Sequence, residues 1–140
     1  MTHKQVLVTG SSSGIGLAIA QHLLSSGWRV IGWDLSPAVL KDDNFQAVSV
    51  DLMNDTAIEA ALQAQASTST AITALVHAAG WMRTAPLATL DLKAGEAMWR
   101  LHVQAATQLA QSLVPAMAKG GNGRVVLIGS RVAQGMAGRS

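Results

Sequence analysis

The residues with the clearest chemical use are Gly10, Ser12, Ser13, Gly14, Ile15 and Gly16, which form a Gly-x-x-x-Gly-x-Gly loop. Glycines at this spacing let the chain turn sharply and let a phosphate approach main-chain amides. The anion site is complete only if the loop runs from a buried strand straight into a helix, whose first amides and dipole then face it. The flanking residues supply both. Val6-Leu7-Val8 reads as a strand buried on both faces, and Ile15, Ile19 and Leu23, with Ala18 beside them, predict a helix that packs one face on the sheet. That order of elements suits a pyrophosphate. Asp34, with Leu35 after it, follows Gly16 by eighteen residues. A carboxylate there accepts hydrogen bonds from both hydroxyls of an adenosine ribose and repels a 2′-phosphate. No Lys or Arg stands in the loop or directly after Asp34, so NAD is favoured over NADP as the cofactor.

Further candidates lie at other predicted strand ends. Asp51-Leu52 follows the third strand, where an acid can meet an adenine amino group or simply shape a turn. Ala78, Ala79 and Gly80 follow the fourth, and such small residues give a cofactor ring room. Trp81-Met82-Arg83 then begins a loop that either borders a substrate or packs locally. Ser130 follows the fifth strand, at the end where chemistry belongs in an open parallel sheet. His22 is expected on an outer helix face, and no metal site is expected.

The elements that must position these residues read as follows. Strands are predicted at Val6–Val8, Trp28–Trp33, Ala47–Val50, Ile72–Val76 and Val125–Ile128. The first helix ends at Ser25-Ser26-Gly27, and Ser36-Pro37 is expected to open a short second one, with Ser36 as its cap and Asp34 left free. Thr56-x-x-Glu59 suggests a capping box for a helix that buries Ile58 and Leu62. Asp91 is expected to cap a long helix carrying Met98, Leu101, Ala105, Leu109 and Leu113, bent or shortened by Pro115 and stopped by Gly120-Gly121.

Composition narrows the class. The 140 residues suit one domain, and 49% hydrophobic residues suffice for a core. There is no cysteine, so neither disulfides nor thiolate chemistry arise. The net charge of +2 comes from scattered basic residues and does not imply nucleic acid. No run is long enough to span a bilayer and no signal segment is evident, so a cytoplasmic protein is expected.

With these residues in hand, the chain resembles the short-chain dehydrogenase/reductase family from Gln5 onward. Thr9-Gly10-Ser11-Ser12-Ser13-Gly14-Ile15-Gly16 matches that family's Thr-Gly-x-x-x-Gly-Ile-Gly loop. His77-Ala78-Ala79-Gly80 is similar to its Asn-Asn-Ala-Gly motif with both asparagines replaced, and Gly123 to Ser130 resembles the strand leading to the catalytic serine. The resemblance implies an α/β fold, a Rossmann-like doubly wound parallel sheet of order 3-2-1-4-5. It implies reversible hydride transfer between NAD(H) and a small-molecule alcohol/carbonyl substrate. It makes Asp34 the ribose acid, Asp51 the adenine contact and Ser130 the group that hydrogen-bonds the substrate oxygen. The family's helix asparagine, counted back from Pro115, falls on His102, which either holds a relay water or simply packs. The family's Tyr-x-x-x-Lys has no counterpart, and the sequence contains no tyrosine. The expectation is therefore the N-terminal part of a longer enzyme that forms a homodimer or homotetramer, itself of little turnover. The alternative is a non-catalytic NAD-binding sensor or interaction module.

Overall fold

The computed structural model describes residues 4–135; the final residues of the expected terminal loop lie outside them. Five strands form one parallel sheet: β1 (Gln5–Thr9), β2 (Arg29–Asp34), β3 (Phe45–Ser49), β4 (Ala74–His77) and β5 (Arg124–Leu127). Their order is β3-β2-β1-β4-β5, as expected for a Rossmann-like sheet. The reversal of winding falls between β1 and β4, and there a crevice opens at the carboxyl ends.

Side-chain alternation sorts the core into two faces. Leu7, Ile31, Trp33 and Leu75 point to one side and pack against Ile58 and Leu62 of α2 (Asp55–Ala66) and Ala105, Leu109 and Met117 of α4 (Ala105–Gly120). Val6, Val8, Val30, Ala74 and Val76 point to the other and meet Ala20, Ile19 and Leu23 of α1 (Gly14–Ser25). β1 is buried throughout. The apolar β5, by contrast, is an exposed edge, with Leu127 59% accessible.

Several local expectations are corrected. Ile15 and Ala18 do not join the sheet-facing stripe: Ile15 is exposed, and Ala20 takes the buried place. No helix forms at Ser36-Pro37. Ser36 is held instead by the glycine loop and Asp34: its amide donates to Asp34 Oδ1 (2.9 Å), and Ser12 Oγ donates to its carbonyl (3.1 Å). α2 is capped not by a Thr56 box but by Asn54, whose Oδ1 accepts from Ala57 N at 3.1 Å. Asn54 lies nearer the turn begun by Asp51 and so starts the helix earlier.

Asp91 does cap the later helix, accepting from Ala94 N at 3.1 Å, but the helix is not continuous. α3 (Leu92–Trp99) passes through one wide π turn (Arg100–Gln104) into α4. Pro115 neither stops nor shortens α4, which runs on to Gly120.

Candidate functional site

A cleft of about 580 Å³ lies over the carboxyl ends of β1, β2 and β4. Its floor is the glycine loop. Gly10 has φ +71°, and a Cβ there would come within 2.8 Å of the backbone of Ala79, so loop and β4 end touch directly. Gly16 is needed for a different reason: a Cβ on it would lie 2.1 Å from the Gly10 carbonyl. α1 therefore sits tight against the strand it follows. Ser13, its N-cap, makes no side-chain capping bond, and the first turn carries no acid. The first amides and the positive helix end are left to an anion.

The lining includes Gly10, Ser13, Gly14, Ile15 and Gly16 from the loop and the start of α1, Asp34 at the end of β2 and Leu35 after it, Asp51 and Leu52 after β3, and Ala78, Ala79 and Gly80 after β4. Most sequence-predicted residues thus converge on one space. Leu52 is also core, being almost fully buried. Asp51 both faces the cleft and closes its own turn, with Oδ1 accepting from Met53 N at 2.9 Å.

Contrary to the expectation from sequence, Asp34 is not free. Oδ2 accepts from Ser12 N and Oδ1 from Ser36 N, both at 2.9 Å. Each carboxylate oxygen retains a lone pair, so these bonds orient the acid without saturating it. Ser12 is not among the lining residues; its amide is spent on Asp34 and its hydroxyl on Ser36.

Ser130 and His102 also lie outside the lining. Ser130 caps a short 3₁₀ turn (Arg131–Gln134), its Oγ accepting from Val132 N at 3.2 Å. Its hydroxyl proton remains available to an acceptor. His102, in the π turn, is exposed, and its Nε2 donates to the Trp81 carbonyl at 2.8 Å. Its ring occupies the space above Gly80, where a Cβ would be 2.4 Å from Cε1. Trp81 does border the cleft, while Arg83 reaches Asp91 instead, at 3.3 Å.

Val50, Met53 and Leu101 also line the cleft, though none of them is a site residue predicted from sequence. More consequential is the pair Thr9 and His77, opposite each other in the β1–β4 register. Thr9 Oγ1 accepts from the amides of Ala78 and Ala79, both at 3.1 Å, and lies 2.9 Å from His77 Nδ1. His77 Nε2 lies 2.9 Å from the Leu101 carbonyl in the π turn. Burial pushes the imidazole below its ordinary pKa, helped by charge on His102 and opposed by the Leu101 carbonyl. Threonine and histidine at neighbouring strand ends were the available signal, but only the register makes them partners.

The short chain dehydrogenase family profile matches residues 4–140. An uncharacterized oxidoreductase of Escherichia coli, YbbO, is 33% identical over 131 residues, covering 91% of this chain and 49% of its own. A short-chain dehydrogenase structure from Streptomyces avermitilis superimposes with a TM-score of 0.86 at 30% identity, over 92% of this chain and 50% of that one. A Leptospira borgpetersenii short-chain dehydrogenase with bound NAD+ gives 0.88 at 21% identity, over 98% and 55%. This chain therefore spans about half the length of these proteins. With the glycine loop, the strand order and the profile match in agreement, the chain belongs to the short-chain dehydrogenase family.

Proposed function

We propose that this chain is the dinucleotide-binding part of an NAD-dependent short-chain dehydrogenase that interconverts an alcohol and a carbonyl compound. The observation that carries this reading is Asp34, held by two amides at the rim of a cleft whose floor is an uncapped helix N-terminus. The residues present fit a dinucleotide. The first-turn amides of α1 would hold the pyrophosphate, Asp34 the ribose, and Asp51 the adenine edge. The small side chains of Ala78 and Ala79 leave room for a ring. The preoriented carboxylate favours free ribose hydroxyls over a 2′-phosphate, hence NAD over NADP. The Leptospira relative's bound NAD+ supports the same cofactor class.

Bound nicotinamide supplies hydride transfer. Ser130 would donate its hydroxyl proton as a hydrogen bond to the substrate oxygen, while its own lone pair is steadied by Val132 N. General acid–base work needs a further group, because a serine hydroxyl is too weak an acid to exchange the proton. The sequence holds no tyrosine to do so, so we expect these residues to bind without appreciable turnover.

Calorimetry with NAD+ and NADP+ tests the reading. NAD+ should bind, NADP+ at least about tenfold more weakly, and Asp34→Ala should abolish the preference. Equal affinity for the two, or no binding of either, would sink it.

A further inference from the structure

We propose that His77 is a positioning residue for the dinucleotide: in its neutral Nε2–H form it ties the ends of β1 and β4 to the π turn, and protonating it loosens the cleft wall. This rests on reading the cleft as a dinucleotide site.

Proton counting fixes the arrangement. A threonine hydroxyl has one proton and two lone pairs. The amides of Ala78 and Ala79 occupy both lone pairs of Thr9 Oγ1. Its proton must then go to His77 Nδ1, 2.9 Å away. Nδ1 is therefore bare, the ring proton sits on Nε2, and Nε2 donates to the Leu101 carbonyl. Every member of this buried network is satisfied in one tautomer only.

The network ends at the cleft. Ala78 and Ala79 are lining residues whose amides are fixed by Thr9, and the Ala79 backbone abuts Gly10 of the phosphate loop. Leu101 lines the cleft from the π turn, so His77 holds two walls together without touching the space between them. It is only 4% exposed and is not among the residues that line the cleft.

A second proton would go to Nδ1 and confront the Thr9 hydroxyl proton. Thr9 can turn its proton away only by giving up an amide. None of the residues bonded to or paired with His77 (Thr9, Leu101, Leu127 and Ile128) can absorb the charge by titrating. The titratable neighbour, His102 in the π turn, adds repulsion. Burial favours the neutral ring in the same direction.

The test uses ¹⁵N-edited histidine spectra of the full chain together with NAD+ calorimetry at pH values spanning the His77 midpoint. We expect the Nε2–H form above a midpoint below 6.5. Saturating NAD+ should lower that midpoint further, because coupling is reciprocal. Affinity for NAD+ should fall at least about fivefold across it. His77→Asn keeps an acceptor and a donor but cannot titrate, so its NAD+ affinity should be flat over the same range. An Nδ1–H tautomer, or a midpoint that bound NAD+ does not move, overturns the proposal alone. If NAD+ binds at no pH, the dinucleotide reading falls and this proposal with it. Should His77→Asn fail to fold, the spectra of the unaltered chain still decide.

Discussion

Two histidines stand near the cleft, one at the end of β4 and one in the π turn, and they behave as opposites. His77 is buried with both ring nitrogens engaged, so its protonation state is dictated by its partners. His102 is exposed and spends one nitrogen on the Trp81 carbonyl, which leaves the other to solvent or ligand. The same side chain is thus a fixed strut in one place and an adjustable surface contact in the other. The difference lies in what surrounds the ring: a hydroxyl with every bonding site committed, or open water.

Removing the hydroxyl should break the contrast most severely. Thr9→Val keeps the shape but strands two amides and His77 Nδ1 in a buried site. At about 1–3 kcal/mol for each unsatisfied group, the loss should be roughly 3 kcal/mol or more, read as a shift in the urea unfolding midpoint. A Thr9→Val chain of unchanged stability would mean the network carries no weight.

Acid should act next, through the buried ring. Unfolded, His77 takes its proton near the ordinary 6.5; folded, it does so only at lower pH. Between those values the unfolded chain holds more protons. Stability is therefore full above about 6.5 and falls with decreasing pH, by at most about 1.4 kcal/mol per unit, until the folded ring itself protonates. Urea titrations across pH should show this slope in the native chain and lose it in His77→Asn.

The smallest effect is expected at the surface. In Gly80→Ala the new methyl meets the exposed ring of His102, which can swing aside. The cost should be the Nε2 contact alone, about 1 kcal/mol or less by thermal unfolding. A larger loss would show that His102 is held as firmly as its buried counterpart.

What could be read from sequence follows the same division between local and distant causes. The strand, loop and helix from Val6 to Gly16 were legible because their chemistry lies within one short stretch. The converging acids were legible because each stands at a predicted strand end. The Ser36-Pro37 helix failed because bonds from the glycine loop and Asp34 claim Ser36 first. Asn54 displaced Thr56 as a cap through its place beside the Asp51 turn. The π turn was invisible, since Leu101 within it and Ala105 and Leu109 after it keep ordinary helical spacing. His77 could be seen as a departure from a motif, but its bond to Thr9 spans 68 positions. The exposure of β5 was equally hidden, because an apolar strand looks the same whether or not something covers it.

That outer strand has a practical consequence. Among the described residues β5 pairs only with β4, so one side of Arg124–Leu127 offers unmatched main-chain donors and acceptors beneath accessible valines and a leucine. A rim of this kind templates whatever extended segment reaches it. How well these residues stay dispersed in concentrated solution will depend less on the well-packed centre than on what is laid along that rim.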